Sequence, residues 1–130
     1  NQGDPYPGVH ALDPETGEFL WRNVLPSLCP EDIKFDCFQG ISAAVSSSPG
    51  LVFAGGMDGR LRAFDASSGD TLWTYNTYRE FTAVNGLKGQ GGSIEADGPV
   101  IANGRLFVTS GYDKWAEMPG NMLLVFSLPN

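Results

Sequence analysis

The chain has 130 residues, 42% apolar and 18% charged, which suits a folded domain with one core and excludes a disordered or membrane-spanning chain. Its formal net charge of −7, from eight basic and fifteen acidic residues, excludes the clustered Lys and Arg that a nucleic-acid partner requires. Seventeen Gly and nine Pro fall between short apolar runs, which predicts an all-β architecture with many tight turns and no helix.

The sequence opens at Asn1 without Met or a signal-like segment, as expected if a leader was removed or if these residues belong to a longer chain. Residues 9–12 and 19–21 alternate as two strands joined by a turn that begins at Asp13 and ends at Gly17. His10 is the only histidine. With no carboxylate partner evident, it is read as a strand-face residue and not as a general base.

Cys29 and Cys37 follow in a polar loop, eight residues apart. Zinc needs about four ligands, which this sequence does not offer near them. A disulfide closing a small exposed loop is the favoured reading, with free thiols as the alternative. A disulfide would imply a periplasmic or extracellular setting.

Leu51–Gly55 and Arg60–Phe64 form a predicted hairpin across Met57-Asp58-Gly59, and a second Asp-to-Gly turn runs from Asp65 to Gly69 and on to Trp73. The acidic residues Asp13, Glu15, Glu18, Glu31, Asp32, Asp36, Asp58, Asp65 and Asp70 are scattered and are read as solvated turns. They show no Asp-x-Asp-x-Asp cadence, so no metal is expected to be bound by this segment alone.

Residues 79–97 form a Gly-rich connection with two cations, Arg79 and Lys88. Beyond it, Pro99–Ala102 and Arg105–Thr109 flank an Asn103-Gly104 turn, a strong hairpin signal. Trp115 sits in a long excursion, where it either covers apolar surface or rims a substrate site. Met122–Phe126 is a last strand, far too short to span a membrane.

Two stretches share the pattern Ala-x-Asp-x-x-x-Gly-x-x-x-Trp: Ala11, Asp13, Gly17 and Trp21, then Ala63, Asp65, Gly69 and Trp73, offset by 52 residues. The Asp accepts backbone N–H bonds within the turn and the Gly supplies positive φ. The Trp offers a large flat face that one repeat cannot bury by itself. The implied organisation is a partial β-propeller over 1–130: the outer part of one blade in 1–26, a Cys-containing loop in 27–45, a full blade in 46–78, the Gly-rich connection in 79–97 and a terminal blade in 98–128.

This motif resembles the tryptophan-docking motif of pyrroloquinoline quinone (PQQ) dehydrogenase propellers. Val52–Gly59, Arg79–Gly86, Gly91-Gly-Ser93 and the ending from Ser110 to Phe126 look like the C-terminal blades of polyvinyl-alcohol dehydrogenase-like proteins. The resemblance implies roughly two and a half four-stranded antiparallel blades of a periplasmic or extracellular oxidoreductase. It also implies PQQ held near the ring axis, often with Ca²⁺ in the complete propeller, and an alcohol oxidised through the quinone.

Within it, Arg79 and Lys88 are candidate partners of the cofactor's carboxylates or quinone oxygens, Asn85 a candidate ring partner, and Gly91 and Gly92 sites of close backbone approach. No catalytic residue is assigned. The other reading is a non-catalytic propeller that self-associates or docks a partner through blade edges. Either way, the open blade faces lead one to expect the remaining blades, in a longer chain or in further copies, as partners.

Overall fold

The computed structural model describes residues 6–33, 36–95, 97–112 and 117–128. Trp115 lies outside the described residues. The chain is all-β, built as small antiparallel sheets, as its turn-rich composition implies.

Strands β1 (Gly8–Leu12) and β2 (Phe19–Val24) form the first sheet, and a single 3₁₀ turn at Glu31–Ile33 lies in the cysteine loop. Strands β3 (Ser46–Ser48), β4 (Leu51–Gly55), β5 (Arg60–Asp65) and β6 (Thr71–Asn76) pair in sequence order as a four-stranded sheet. Residues 79–97, read from sequence only as a connection, hold a further hairpin of β7 (Glu80–Thr82) and β8 (Lys88–Gln90). Strands β9 (Val100–Ala102), β10 (Arg105–Ser110) and β11 (Met122–Ser127) make a three-stranded sheet with β10 in the middle.

The two Asp-to-Gly turns are built alike. Asp13 Oδ1 accepts the N–H of Glu15 and of Thr16, at 2.8 and 3.0 Å, while Asp65 Oδ1 accepts those of Ser67 and Ser68 at the same two distances. Gly17 and Gly69, at φ 73° and 77°, return the chain by donating to the carbonyls of Asp13 and Asp65. In both hairpins the register slips just past the motif Ala, between Ala11 and Leu12 and between Ala63 and Phe64.

The hydrogen bonds hold both carboxyls below the ordinary value of 3.8. The backbone N–H groups of Thr16 and Glu15 lead for Asp13, and the Ser67 hydroxyl followed by the Ser67 and Ser68 N–H groups for Asp65.

Alternation along β4 and β5 feeds two cores, one on each face of the four-stranded sheet. Ala54 and Phe64 pack with Val9 and Leu25 of the first segment, and Trp21, Ile41 and Val52 close around them. Leu61 packs the other way, with Ile94, Leu106 and Val108, against which Phe53, Tyr75 and Phe126 lie. The middle sheet is thus sandwiched between its neighbours.

Trp21 is the bridge on the first side. Its indole N–H donates to the Ala66 carbonyl at 3.0 Å, and its ring lies over Gly69, where a Cβ would come within 2.4 Å of Cε3. Asn23 adds a 2.7 Å bond from its side-chain amide to the Gly69 carbonyl. Cys29 and Cys37 are joined in a disulfide.

One expectation is corrected. Asp58 is not a solvated turn residue: it is 4% exposed and forms a 2.5 Å ion pair with Arg62, itself 2% exposed. The side chain of Arg62, on the central strand β5, is carried into the interior by the alternation and needs a buried carboxylate there. Gly56 leaves the room, since a Cβ would lie 2.4 Å from Asp58 Oδ1.

Three outcomes are expected. In urea denaturation Trp21→Ala lowers stability by about 2 kcal/mol, the half-buried share of a core Trp truncation. Arg62→Ala costs about 3–5 kcal/mol, because it strands a buried carboxylate. The two turn carboxyls accept these hydrogen bonds more strongly when ionised. Their contribution is therefore complete above the ordinary carboxylate range and is lost as pH falls through their lowered values. Carbon-detected NMR titration should find both carboxyls titrating below 3.8; ordinary values would show that the turns are open in solution.

Candidate functional site

The hairpin β7–β8 gathers the residues singled out by sequence. Glu80 pairs with Gln90 and Thr82 with Lys88. Arg79 and Gly91 close its base through the Gly91 N–H and the Arg79 carbonyl at 3.0 Å. Asn85 lies in the turn at the tip, where its side-chain oxygen accepts the Leu87 N–H, and Gly86 completes the reversal at φ 81°. Arg79, Asn85, Lys88, Gly91 and Gly92 are thus spread along one hairpin from base to tip and do not converge on a point.

Each of the two cations has a partner. Arg79 donates to Tyr75 Oη at 2.6 Å and stacks over the rings of Tyr75 and Phe81 at 5.3 and 4.7 Å. Lys88 bonds Glu80 at 2.8 Å with both side chains 65% exposed. Such a pair is weak and readily exchanged for another anion. Lys88 also borders an open cleft of about 540 Å³ shared with Glu80, Gln90, Pro119 and Asn121.

Gly91 and Gly92 owe their identity to the chain itself. A Cβ on Gly91 would sit 1.9 Å from the Thr77 carbonyl oxygen, and one on Gly92 would sit 2.0 Å from that of Met118. The side-chain face of each glycine is already filled by backbone.

Beneath the base lies a buried polar relay. The Gly92 N–H donates to Ser110 Oγ at 2.9 Å, the Ser110 hydroxyl to Thr77 Oγ1 at 2.8 Å, and the Thr77 hydroxyl to the Gly59 carbonyl at 2.9 Å. Thr77 and Ser110 are fully buried. Ser93 adds a second link, donating to the Met57 carbonyl at 2.6 Å and accepting the Met118 N–H at 3.2 Å. Asn121 ties the outer side, accepting from Gln90 N–H at 3.1 Å and donating its own N–H to the Gln90 carbonyl at 2.8 Å.

Sequence reasoning passed over Thr77 and Ser110. The available signal was a small hydroxyl at the end of an apolar strand, at 77 after β6 and at 110 at the close of β10.

The remaining candidates lie elsewhere. The Ala11–Trp21 and Ala63–Trp73 sets occupy the β1–β2 and β5–β6 hairpins, with Trp21 on the next sheet's turn and Trp73 still 37% exposed. His10 Nε2 donates to the Tyr6 carbonyl at 3.1 Å, and the ring meets Phe19 edge-on. Among the described residues no three His, Cys, Asp or Glu side chains gather to hold a metal ion, and no helix is long and apolar enough to cross a membrane.

For a flat, polyanionic quinone, the exposed donors of the hairpin and cleft are chemically suited. Lys88 offers a point charge, Arg79 a planar fork, and Gln90 and Asn121 amides. The glycines act indirectly, by seating the hairpin.

Comparison with known proteins gives a consistent picture. The PQQ_2 family model, described as outer membrane protein assembly factor BamB, matches residues 7–118. The chain is 37% identical to a polyvinylalcohol dehydrogenase of Pseudomonas sp and 36% identical to that of Sphingopyxis sp. (strain 113P3), in each case over 94% of this chain and 20% of the relative. A quinohemoprotein alcohol dehydrogenase of Comamonas testosteroni is 31% identical over 77% of this chain and 13% of its own length. The chain therefore spans about a fifth of the length of the polyvinylalcohol dehydrogenases it matches.

Ser110→Ala removes the acceptor of a buried N–H and should cost about 1–3 kcal/mol. Hydrogen exchange should quicken at Gly92 and through the β7–β8 hairpin while the β4–β5 core stays protected. Uniform loss of protection would show that the relay holds the whole domain and not the hairpin alone.

Proposed function

Since the chain belongs to the PQQ-repeat β-propeller family, we propose that it is the C-terminal part of a PQQ-dependent, polyvinyl-alcohol dehydrogenase-like enzyme that oxidises an alcohol. The observation that carries this reading is the similarity to polyvinylalcohol dehydrogenases over 94% of the chain, the β7–β8 hairpin included. The partners of this segment are then the remaining blades of the ring.

Bound in the completed ring, the quinone supplies the redox chemistry, accepting two electrons as the alcohol becomes a carbonyl compound. The part played by this chain is to bind and orient. Lys88 exchanges Glu80 for a cofactor carboxylate, and Arg79, braced on Tyr75 and Phe81, presents its remaining donors. Asn85 offers its side-chain amide from the tip. Gly91 and Gly92 let the base seat against Thr77 and Met118, which sets the height of the hairpin. The Cys29–Cys37 disulfide supports an extracytoplasmic location, periplasmic or extracellular. Any Ca²⁺ would draw its ligands from blades outside this segment.

The test uses the complete polypeptide that contains this segment. Loaded with PQQ, it should reduce an artificial electron-accepting dye with a secondary alcohol as donor. Lys88→Ala should weaken PQQ binding about tenfold in a fluorescence titration, the loss of one charge-assisted contact, with the melting temperature of the apoprotein unchanged. A complete protein that neither binds PQQ nor reduces the dye would favour the second reading, a non-catalytic assembly module. The family model's assembly-factor description supports that alternative.

A further inference from the structure

The cysteine loop and the β7–β8 hairpin are counterparts in successive repeats. Gly8 pairs with Val24 and Arg60 with Asn76, the second pair shifted from the first by the repeat offset of 52 residues. One residue further on, the Leu25 N–H donates to the Pro7 carbonyl at 2.9 Å and the Thr77 N–H to the Gly59 carbonyl at 2.8 Å. Both connections therefore leave their sheets at the same end. The β7–β8 hairpin is held by its own strand pairing. The cysteine loop has none. Among the described residues, the hydrogen bonds of 26–38 are local only, from Ile33 N–H to the Pro30 carbonyl and from Asp36 and Cys37 N–H to that of Ile33. What closes the loop is the disulfide, with Cys37 buried, and beneath it the Gln39 side-chain amide on the Leu25 carbonyl.

Directly beyond the loop the chain becomes a strap. The Gly40 carbonyl accepts the Met57 N–H at 3.0 Å, and Ser42 Oγ donates to Glu95 Oε1 at 3.1 Å. The Ala44 carbonyl lies against Gly98, where a Cβ would come within 2.1 Å of it. Met57, in the β4–β5 turn, is the meeting point. Its N–H is held by Gly40 and its carbonyl by Ser93 Oγ, the group that also takes the Met118 N–H. Two residues on, Gly59 carries the carbonyl on which the buried relay ends. The turn beneath the hairpin is thus gripped from two sides, by the strap and by the hairpin base.

We infer that the Cys29–Cys37 disulfide positions the β7–β8 hairpin from a distance: it fixes the loop that brings the Gly40 carbonyl to Met57, and Met57 in turn fixes Ser93 and the hairpin base. With the disulfide open, residues 26–38 regain the freedom of an unpaired loop, and the entropy of ordering them opposes the Gly40–Met57 bond. The sheets do not share this dependence. They are held by strand pairing and by the two cores, to which no described residue of 26–38 belongs. Cys29, Cys37 and Gly40 are therefore positioning residues. The inference concerns the seating of the hairpin and holds whether or not the complete protein binds PQQ.

Native-state hydrogen exchange on the complete polypeptide, without cofactor, tests this before and after treatment with a dithiol. The dithiol supplies two electrons and two protons, leaves Cys29 and Cys37 as thiols and closes to its own cyclic disulfide. Reduction should speed exchange about fivefold at the Met57 N–H and at the bonded N–H groups of Gly91 to Ile94, the population change that goes with one lost hydrogen bond. Strands β1, β2, β4 and β5 should keep their protection. Reoxidation should restore the original pattern, and a double variant, Cys29→Ser with Cys37→Ser, should match the reduced protein with no dithiol present. Unchanged exchange at the hairpin base would overturn the inference, as would a faster hairpin with the Met57 N–H still protected. So would an equal loss of protection in every sheet on reduction, or a folded double variant that keeps the oxidised pattern. None of these outcomes depends on PQQ, so failure here is distinguishable from failure of the cofactor reading.

Discussion

The hairpin that carries the candidate site stands on one buried relay, from the Gly92 N–H through the hydroxyls of Ser110 and Thr77 to the Gly59 carbonyl. Its members come from the β4–β5 turn, the residue after β6, the segment leaving the hairpin and the end of β10. A buried polar group without a partner is costly, so these segments must meet in one arrangement for every donor to be satisfied. The glycines follow from it. With Gly91 against Thr77 and Gly92 against Met118, backbone approaches backbone at distances no side chain permits.

Between the sheets themselves the cement is apolar and directional in turn. Phe64 and Leu61, three residues apart on β5, pack into opposite cores, so one strand joins three layers. Trp21 then fixes the lateral position of the first pair of sheets, since its indole N–H has a single carbonyl to reach and its ring a single glycine to cover. The pair formed by Asp58 and Arg62 lies in the same interior and adds no apolar burial. Its effect is to demand one arrangement, because either charge alone would be stranded.

The site shows a division of labour between support and presentation. What is buried beneath the hairpin is neutral, hydrogen-bonded and closed to solvent. What is presented on it is charged and amide-rich, with Lys88 in an exposed ion pair. Lys88 and Glu80, both well exposed, can part at little cost, whereas Arg79 is held by an aromatic pair and a phenol. If the complete protein binds PQQ, as proposed, a surface built this way would meet the anionic planar ligand while its backbone stays still, which is the condition for orienting a cofactor whose chemistry is its own.

Much of this was legible in the sequence because the signals are local. Asp13 and Asp65 with Gly17 and Gly69 prescribe a turn by hydrogen bonding and positive φ within five residues. Asn103-Gly104 prescribes a hairpin in two, and the spacing of Trp21 and Trp73 marks a repeated unit. Residues 79–90 defeated that reading, since Gly and polar residues mask the alternation of two three-residue strands. The solvated reading of Asp58 failed because burial depends on Arg62 being carried inward by a central strand, a fact of sheet stacking and not of local pattern. By itself the sequence determined the turns, the strands outside residues 79–90 and the kinship, all set by neighbours along the chain. Only the tertiary structure decided that Thr77 and Ser110 support the hairpin, that Gly91 and Gly92 serve packing, and that Trp73, unlike Trp21, keeps an open face. Those roles depend on contacts between residues far apart in the chain, 33 positions for Thr77 and Ser110, which no local pattern encodes.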